Sequence, residues 1–182
     1  MKTYLKNGYI FTENGFEKRD VFVDGDRLSF SHCGGYDDCI DCDSLYIIPG
    51  FVDVHVHLRE PGFFYKESIK TGTEAAARGG YTAVCPMPNL NPAPSDMESL
   101  QIQLDLIKKD AIVKVYPYGT ITKAQTGRGQ LSDMEAMKDY IIAFSDDGKG
   151  VQSQEVMEEA MLSAKKLDKM IVAHCEDESL LT

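Results

Sequence analysis

No stretch of the 182-residue chain approaches the run of about 18 apolar residues that a membrane-spanning helix needs. The first residues, MKTYLKNGYIFTENG, lack the apolar core and small-residue cleavage site of a signal peptide, so a cytoplasmic location is expected. Positive charge is scarce. Lys and Arg number 19 against 29 Asp and Glu, a net charge of −10, and no basic stripe is present that would neutralise a phosphate backbone. Nucleic acid and membrane are therefore not expected partners. Also missing is any GxGxxG or GxxxxGK[ST] motif after an apolar run, so nothing points to nucleotide binding. The five cysteines are odd in number, and three of them crowd into CGGYDDCIDC (Cys33, Cys39, Cys42), which disfavours a disulfide framework. Cys39 and Cys42 form a CxxC, but a structural zinc site needs further ligands and only His32 and Cys33 are near. Reduced thiols in a turn-rich segment are the simpler expectation. What remains, 43% hydrophobic and 26% charged residues, is the composition of an ordinary globular protein.

Two patterns divide the chain. Residues 1–48 hold short alternating runs (TYLKNGYIF, DVFVDGDRLSF, SLYIIPG) broken by turn signals at NG, ENG, DGD and CGG, which predicts a small antiparallel β arrangement without helix. From residue 49 onward strands alternate with amphipathic helices, the sign of a parallel sheet with helical crossovers. Strands are predicted at 51–58, 81–87, 111–121, 141–145 and 170–174. Helices are predicted around ESIKTGTEAAARGG, over MESLQIQLDLIKKD with Ser95 or Asp96 as its cap, near SDMEAMKDY, and near SQEVMEEAMLSAKKL. The fold class expected is α/β: an incomplete TIM-type (β/α)8 barrel with about five of its strands, preceded by a small β-rich segment. An open doubly wound sheet is the alternative.

Side chains at alternate strand positions share a face, so Phe51, Asp53, His55 and His57 are expected to point one way and Val52, Val54, Val56 and Leu58 the other. On that pair alone, metal ligands and satisfied core histidines are equally open readings. Strand 141–145 runs into SDDG, which brings Asp146 and Asp147 to its C-terminal edge, and strand 170–174 ends in His174. Taken singly, DDG reads as a solvated turn and His174 as a core residue. Together, His55, His57, Asp147 and His174 would converge on one rim if the strands form a barrel wall, where the active sites of such barrels sit. Arg59 offers a planar fork for a carboxylate, and Asn89, just past the second strand, offers both a donor and an acceptor. Arg59 pairing with Glu60 or Asp53, and Asn89 capping a turn between prolines, are the plainer readings.

The combination of PGFVDVHVHLREPG, YKESIKTGTEAAARGGYTAVCPMPNLNP, AFSDDGKGV and VAHCED resembles the dihydroorotase family, in its class I bacterial branch within the amidohydrolase superfamily. The resemblance runs from about Leu45 to the end of the chain, and HVHLREPG by itself also resembles allantoinase. It implies that His55 and His57 bind one zinc ion, that Asp147 bridges two, and that His174 binds the second. It implies that Arg59 and Asn89 hold the carboxylate of dihydroorotate or N-carbamoyl-L-aspartate. The implied chemistry is reversible, zinc-assisted hydrolysis of a cyclic amide in pyrimidine biosynthesis.

The sequence departs from the family in one respect. The family's general acid/base aspartate after strand eight and a third histidine after strand six have no counterpart, so the chain is expected to be the N-terminal part of a longer protein, inactive alone. Neither of the expected domains, 1–48 as a β-rich portion and 49–182 as part of a hydrolase barrel, contains that acid/base. Allantoinase or hydantoinase chemistry, and a catalytically silent scaffold for a transcarbamoylase, are the competing readings. A homodimer is left open.

Overall fold

The computed structural model describes residues 1–31 and 34–181 and divides into two compact units, Met1–Pro49 and Gly50–Thr182. His32 and Cys33, the ligands proposed to complete a CxxC zinc site, lie outside the described residues. Cys39, Cys42, Cys85 and Cys175 are free thiols.

In the first unit, β1 (Lys2–Thr12), β2 (Gly15–Asp24) and β3 (Arg27–Ser29) form the expected antiparallel meander through turns at Asn14 and Gly25. The remaining pairings differ from expectation. β4 (Asp38–Asp41) and β5 (Tyr46–Ile47) both lie parallel to β1, pairing one after the other with its first and later residues, so the sheet is mixed rather than antiparallel. Such pairings join residues more than thirty apart, and no turn signal announces them.

Between Leu5 and Gly8 the register of β1 against β2 slips: three steps on β1 match two on β2, leaving an extra residue. Asn7 takes a left-handed φ of 64° there, and its freed N–H is accepted by Asp20 at 2.9 Å. Asp20 also accepts a hydrogen bond from the Tyr4 hydroxyl at 2.7 Å. The Tyr4 phenol is thereby pushed up from 10.0 to about 12, the hydrogen bond to Asp20 being the main cause. In Asp20→Asn the charge is gone, and one tyrosine is expected to shift its titration from about 12 back toward 10.0 in an alkaline tyrosinate absorbance titration. An unchanged profile would show that the Tyr4–Asp20 bond does not form. By sign, this contact is intact below the ordinary tyrosine value and is lost as pH rises through about 12.

In the second unit, β6 (Phe51–Val56), β7 (Tyr81–Pro86) and β8 (Lys114–Val115) form a parallel sheet in that order. β9 (Ala143–Phe144) and β10 (Met170–Ile171) form a second parallel pair, and one parallel bridge, Gly119 to Phe144, relates the two. Helices α1 (Ile69–Arg78), α2 (Met97–Asp110) and α4 (Gln154–Lys166) connect successive strands, with the single-turn α3 (Met134–Met137) before β9. Their starts follow capping chemistry: Ser68, Asp96 and Ser153 each accept from the N3 backbone N–H. No helix is long and apolar enough to cross a membrane among the described residues. The last three strands are shorter than their apolar runs suggested. Only two residues of each form a ladder, while flanking residues such as Tyr118, Ile121 and Ile141 are buried by packing instead.

Burial explains why β7 reads as YTAVCP with almost no polar residue. Val84 packs with Leu58, Ile69, Ala76 and Leu106 on the helix side, while Cys85 packs with Met87, Tyr118 and Ala143 on the opposite side. A third cluster, around Leu100, Met137, Phe144 and Ala160, holds α2, α3 and α4 against β9.

β6 does not keep the simple alternation expected of it. Asp53 pairs with Val84 and Val56 with Pro86, so three steps on β6 match two on β7. The extra residue changes which face each side chain takes. Asp53 lines the cavity between β6 and α1 together with Val56, His57, Leu58 and Gly72. From there its carboxylate accepts the His55 backbone N–H at 3.1 Å, the same remedy that Asp20 supplies to Asn7.

Candidate metal centre

Three strand ends deliver the site. β6 carries His55 in its irregular last stretch of pairing and is followed by His57, β9 is followed by Ser145, Asp146 and Asp147, and β10 is followed by His174. Donor atoms of His55, His57 and Asp147 all lie within 4.8 Å of one another, the one such cluster among the described residues. His55 Nε2 is 3.5 Å from Asp147 Oδ1, and His57 Nε2 is 3.8 Å from Asp147 Oδ2. His174 joins through the same carboxylate, its Nδ1 3.4 Å from Asp147 Oδ1. All four residues singled out in the sequence therefore meet around Asp147, whose side chain is buried while the three rings are partly open to solvent.

The two neighbouring aspartates divide their work. Asp146 is turned inward and 1% exposed, and accepts hydrogen bonds from Ile121 N at 2.8 Å, Thr122 N at 3.2 Å and the Thr122 hydroxyl. Burial pushes its carboxyl above the ordinary range, against those hydrogen bonds, which pull it down. Its carbonyl accepts from Lys149 N and Gly150 N, closing the DDGKG turn. Gln125 holds the Asp147 carbonyl at 2.7 Å, so the loop after β8 grips both aspartates and leaves only the Asp147 carboxylate free to face the histidines.

Arg59 follows the histidines with a left-handed φ of 58°. Neither acid offered by the sequence pairs with it: Glu60 accepts from Ile69 N and Asp53 from His55 N. Asn89 does not cap a turn through its side chain. Its Oδ1 lies 3.1 Å from His57 Nδ1 and its Nδ2 donates to Asp147 Oδ2 at 3.0 Å. Three supports are not foreseen from the sequence pattern: Asp53 beneath His55, Gln125 behind Asp147, and Glu176, whose Oε2 is 3.2 Å from His174 Nε2. Only the spacing HCE in VAHCED hinted at the last.

The donor set suits a cation such as zinc, which takes neutral imidazole nitrogen and carboxylate oxygen. Burial, the largest effect, holds the His57 imidazole below its ordinary value, which favours its neutral form; the hydrogen bond to Asn89 opposes this. Grouped imidazoles around one buried carboxylate fit a metal better than a hydrophobic core, where each ring would seek a protein partner of its own.

The fold is shared with solved hydantoinase structures. L-hydantoinase (dihydropyrimidinase) from Arthrobacter aurescens superposes with a TM-score of 0.80 at 18% identity, over 98% of this chain and 41% of that one. A family profile described as dihydro-orotase-like matches residues 45–182, and the chain belongs to that family. The dihydroorotase of Fusobacterium nucleatum subsp. nucleatum is 50% identical over 97% of this chain and 42% of its own length. That of Bacillus licheniformis is 46% identical over 100% of this chain and 43% of its own. The chain thus spans well under half the length of these relatives.

Proposed function

We propose that the protein carrying this chain is a zinc-dependent cyclic amidohydrolase that interconverts dihydroorotate and N-carbamoyl-L-aspartate in pyrimidine biosynthesis. The observation that carries this reading is the convergence of His55, His57 and His174 on the buried Asp147 carboxylate. In it, His55, His57, Asp147 and His174 are the residues that would hold the zinc. Zinc bound there supplies Lewis acidity toward an amide carbonyl and lowers the pKa of water.

The chain's own residues do the rest. Arg59, with no acidic partner among the described residues, receives the substrate carboxylate through its planar fork, and Asn89 offers the same carboxylate a further N–H. Asp53 and Gln125 keep the histidine pair and Asp147 in register while the ring opens or closes. The group that moves the leaving nitrogen's proton belongs, in this reading, to the part of the longer protein outside this chain, and the chain alone is inactive.

The same reading treats β6–β10 as the first five strands of a (β/α)8 barrel beginning near residue 49, with residues 1–48 as part of a small β domain. All their ladders are parallel, and β6 is a sheet-edge strand with Val52 and Val54 57% and 59% exposed, a surface that further strands would cover. A cytoplasmic site of action goes with a biosynthetic enzyme of this kind.

The test uses the intact protein loaded with zinc, assayed in both directions with dihydroorotate and carbamoyl aspartate. Turnover is expected, and His55→Ala is expected to remove it together with most of the bound zinc. A protein that retains zinc but opens hydantoin or allantoin instead would move the reading to that neighbouring activity. Co-purification of a transcarbamoylase by a zinc-free, inactive protein would replace it with a scaffolding role.

A further inference from the structure

The side-chain amide of Asn89 bridges two members of the centre, and the chemistry of its neighbours leaves only one orientation for it. Asp147 Oδ2, at 3.0 Å, is a carboxylate oxygen and accepts, so the amide end facing it is the NH2 group. The other end, Oδ1, then faces His57 Nδ1 at 3.1 Å. An amide oxygen only accepts, so Nδ1 carries the proton. A neutral imidazole has a single N–H, so His57 Nε2 holds the lone pair, and Nε2 is the nitrogen that faces Asp147. Flipping the amide sets oxygen against oxygen at Asp147, an arrangement that loses one hydrogen bond and adds repulsion.

We propose that Asn89 is a positioning residue of the metal centre: anchored by Asp147, its amide fixes His57 as the Nδ1–H tautomer and thereby presents Nε2 to the metal. This rests on the metal-centre reading above and adds to Asn89 a role that needs no substrate. The two roles are compatible, because the NH2 group has a second N–H that neither Asp147 nor His57 uses. A residue 58 positions from Asp147 and 32 from His57 thus couples the β6 and β9 contributions to the site.

The experiment has two arms on the intact protein. In the metal-free protein, nitrogen NMR of the histidine rings is expected to show His57 protonated at Nδ1 and bare at Nε2, and Asn89→Ala is expected to give a mixture of tautomers. In the second arm, zinc affinity without substrate is expected to fall about 10- to 100-fold in Asn89→Ala, the range for partners that orient a ligating histidine. Far-UV circular dichroism checks that the variant is folded. An Nε2–H tautomer in the unaltered protein, or zinc affinity unchanged by Asn89→Ala, overturns the proposal. A purely substrate-binding Asn89 would raise KM and leave both arms unmoved. If the unaltered protein binds no zinc, the metal-centre reading fails, and the tautomer spectrum alone still decides whether Asn89 sets His57.

Discussion

Asp147→Asn is expected to leave the protein folded while lowering its zinc affinity by more than the ~10- to 100-fold typical of a residue that merely orients a ligand. The Asp147 carboxylate is the one anionic group that all three histidines approach, with Oδ1 between His55 and His174 and Oδ2 toward His57. An asparagine of the same shape keeps one weakly basic oxygen and turns an NH2 group toward one side of the centre. The imidazole nitrogens on that side then face a donor instead of an anion, and a cation placed there loses the carboxylate charge that the three histidines share. The backbone grip of Gln125 on the Asp147 carbonyl does not depend on the side chain, so the strand end keeps its place. Zinc content by elemental analysis and turnover of dihydroorotate check the prediction together. Retention of both at the unaltered level would remove Asp147 from the centre.

That Asp147, and not Asp146, faces the histidines was legible in the sequence only through the family resemblance. Strand periodicity places neighbouring residues on opposite faces but does not say which face is the site. The gross plan was readable because it rests on local chemistry: the helix cap at Ser95 or Asp96, turn residues between short β runs, and polar residues at the ends of apolar strands. The division near residue 49 follows a change in hydrophobic period, and the chain's two compact units meet at Pro49 and Gly50.

The unreadable parts are those set by contacts distant in sequence. The register of β6 against β7 slips between Phe51 and Val52 and again between Asp53 and Val56, and nothing in FVDVHVHL marks where either irregularity falls. Asp53 looks like a partner of the histidines by periodicity and is instead a brace for the His55 backbone. Asn89 is marked by the sequence as a candidate substrate group or a turn cap, but its contacts with His57 and Asp147 depend on residues 32 and 58 positions away. The parallel attachment of β4 and β5 to β1 has the same origin, since which edge a short strand joins depends on the whole sheet.

Asp146→Ala is expected to be the more damaging of the two aspartate changes for stability. It strips the acceptor from Ile121 N, Thr122 N and the Thr122 hydroxyl in a place with no water to replace it, since Ile121 and Thr122 are 1% and 0% exposed. Each buried donor left without a partner costs about 1–3 kcal/mol, so the loss is expected to be about 3–5 kcal/mol once some relaxation is allowed. Asp146→Asn keeps the volume and one acceptor oxygen, and is expected to cost less, about 1–3 kcal/mol, with one donor facing another. The order of unfolding midpoints, unaltered above Asn above Ala, is read by thermal denaturation of the zinc-free proteins, which keeps metal binding out of the comparison. Activity is expected to fall in the same order, because the 121–127 loop that Asp146 anchors also carries Gln125 to the Asp147 carbonyl. Equal midpoints for all three proteins would mean that the loop is held by its other contacts, such as Gly127 O to Gln152 N, and that Asp146 is not the clamp.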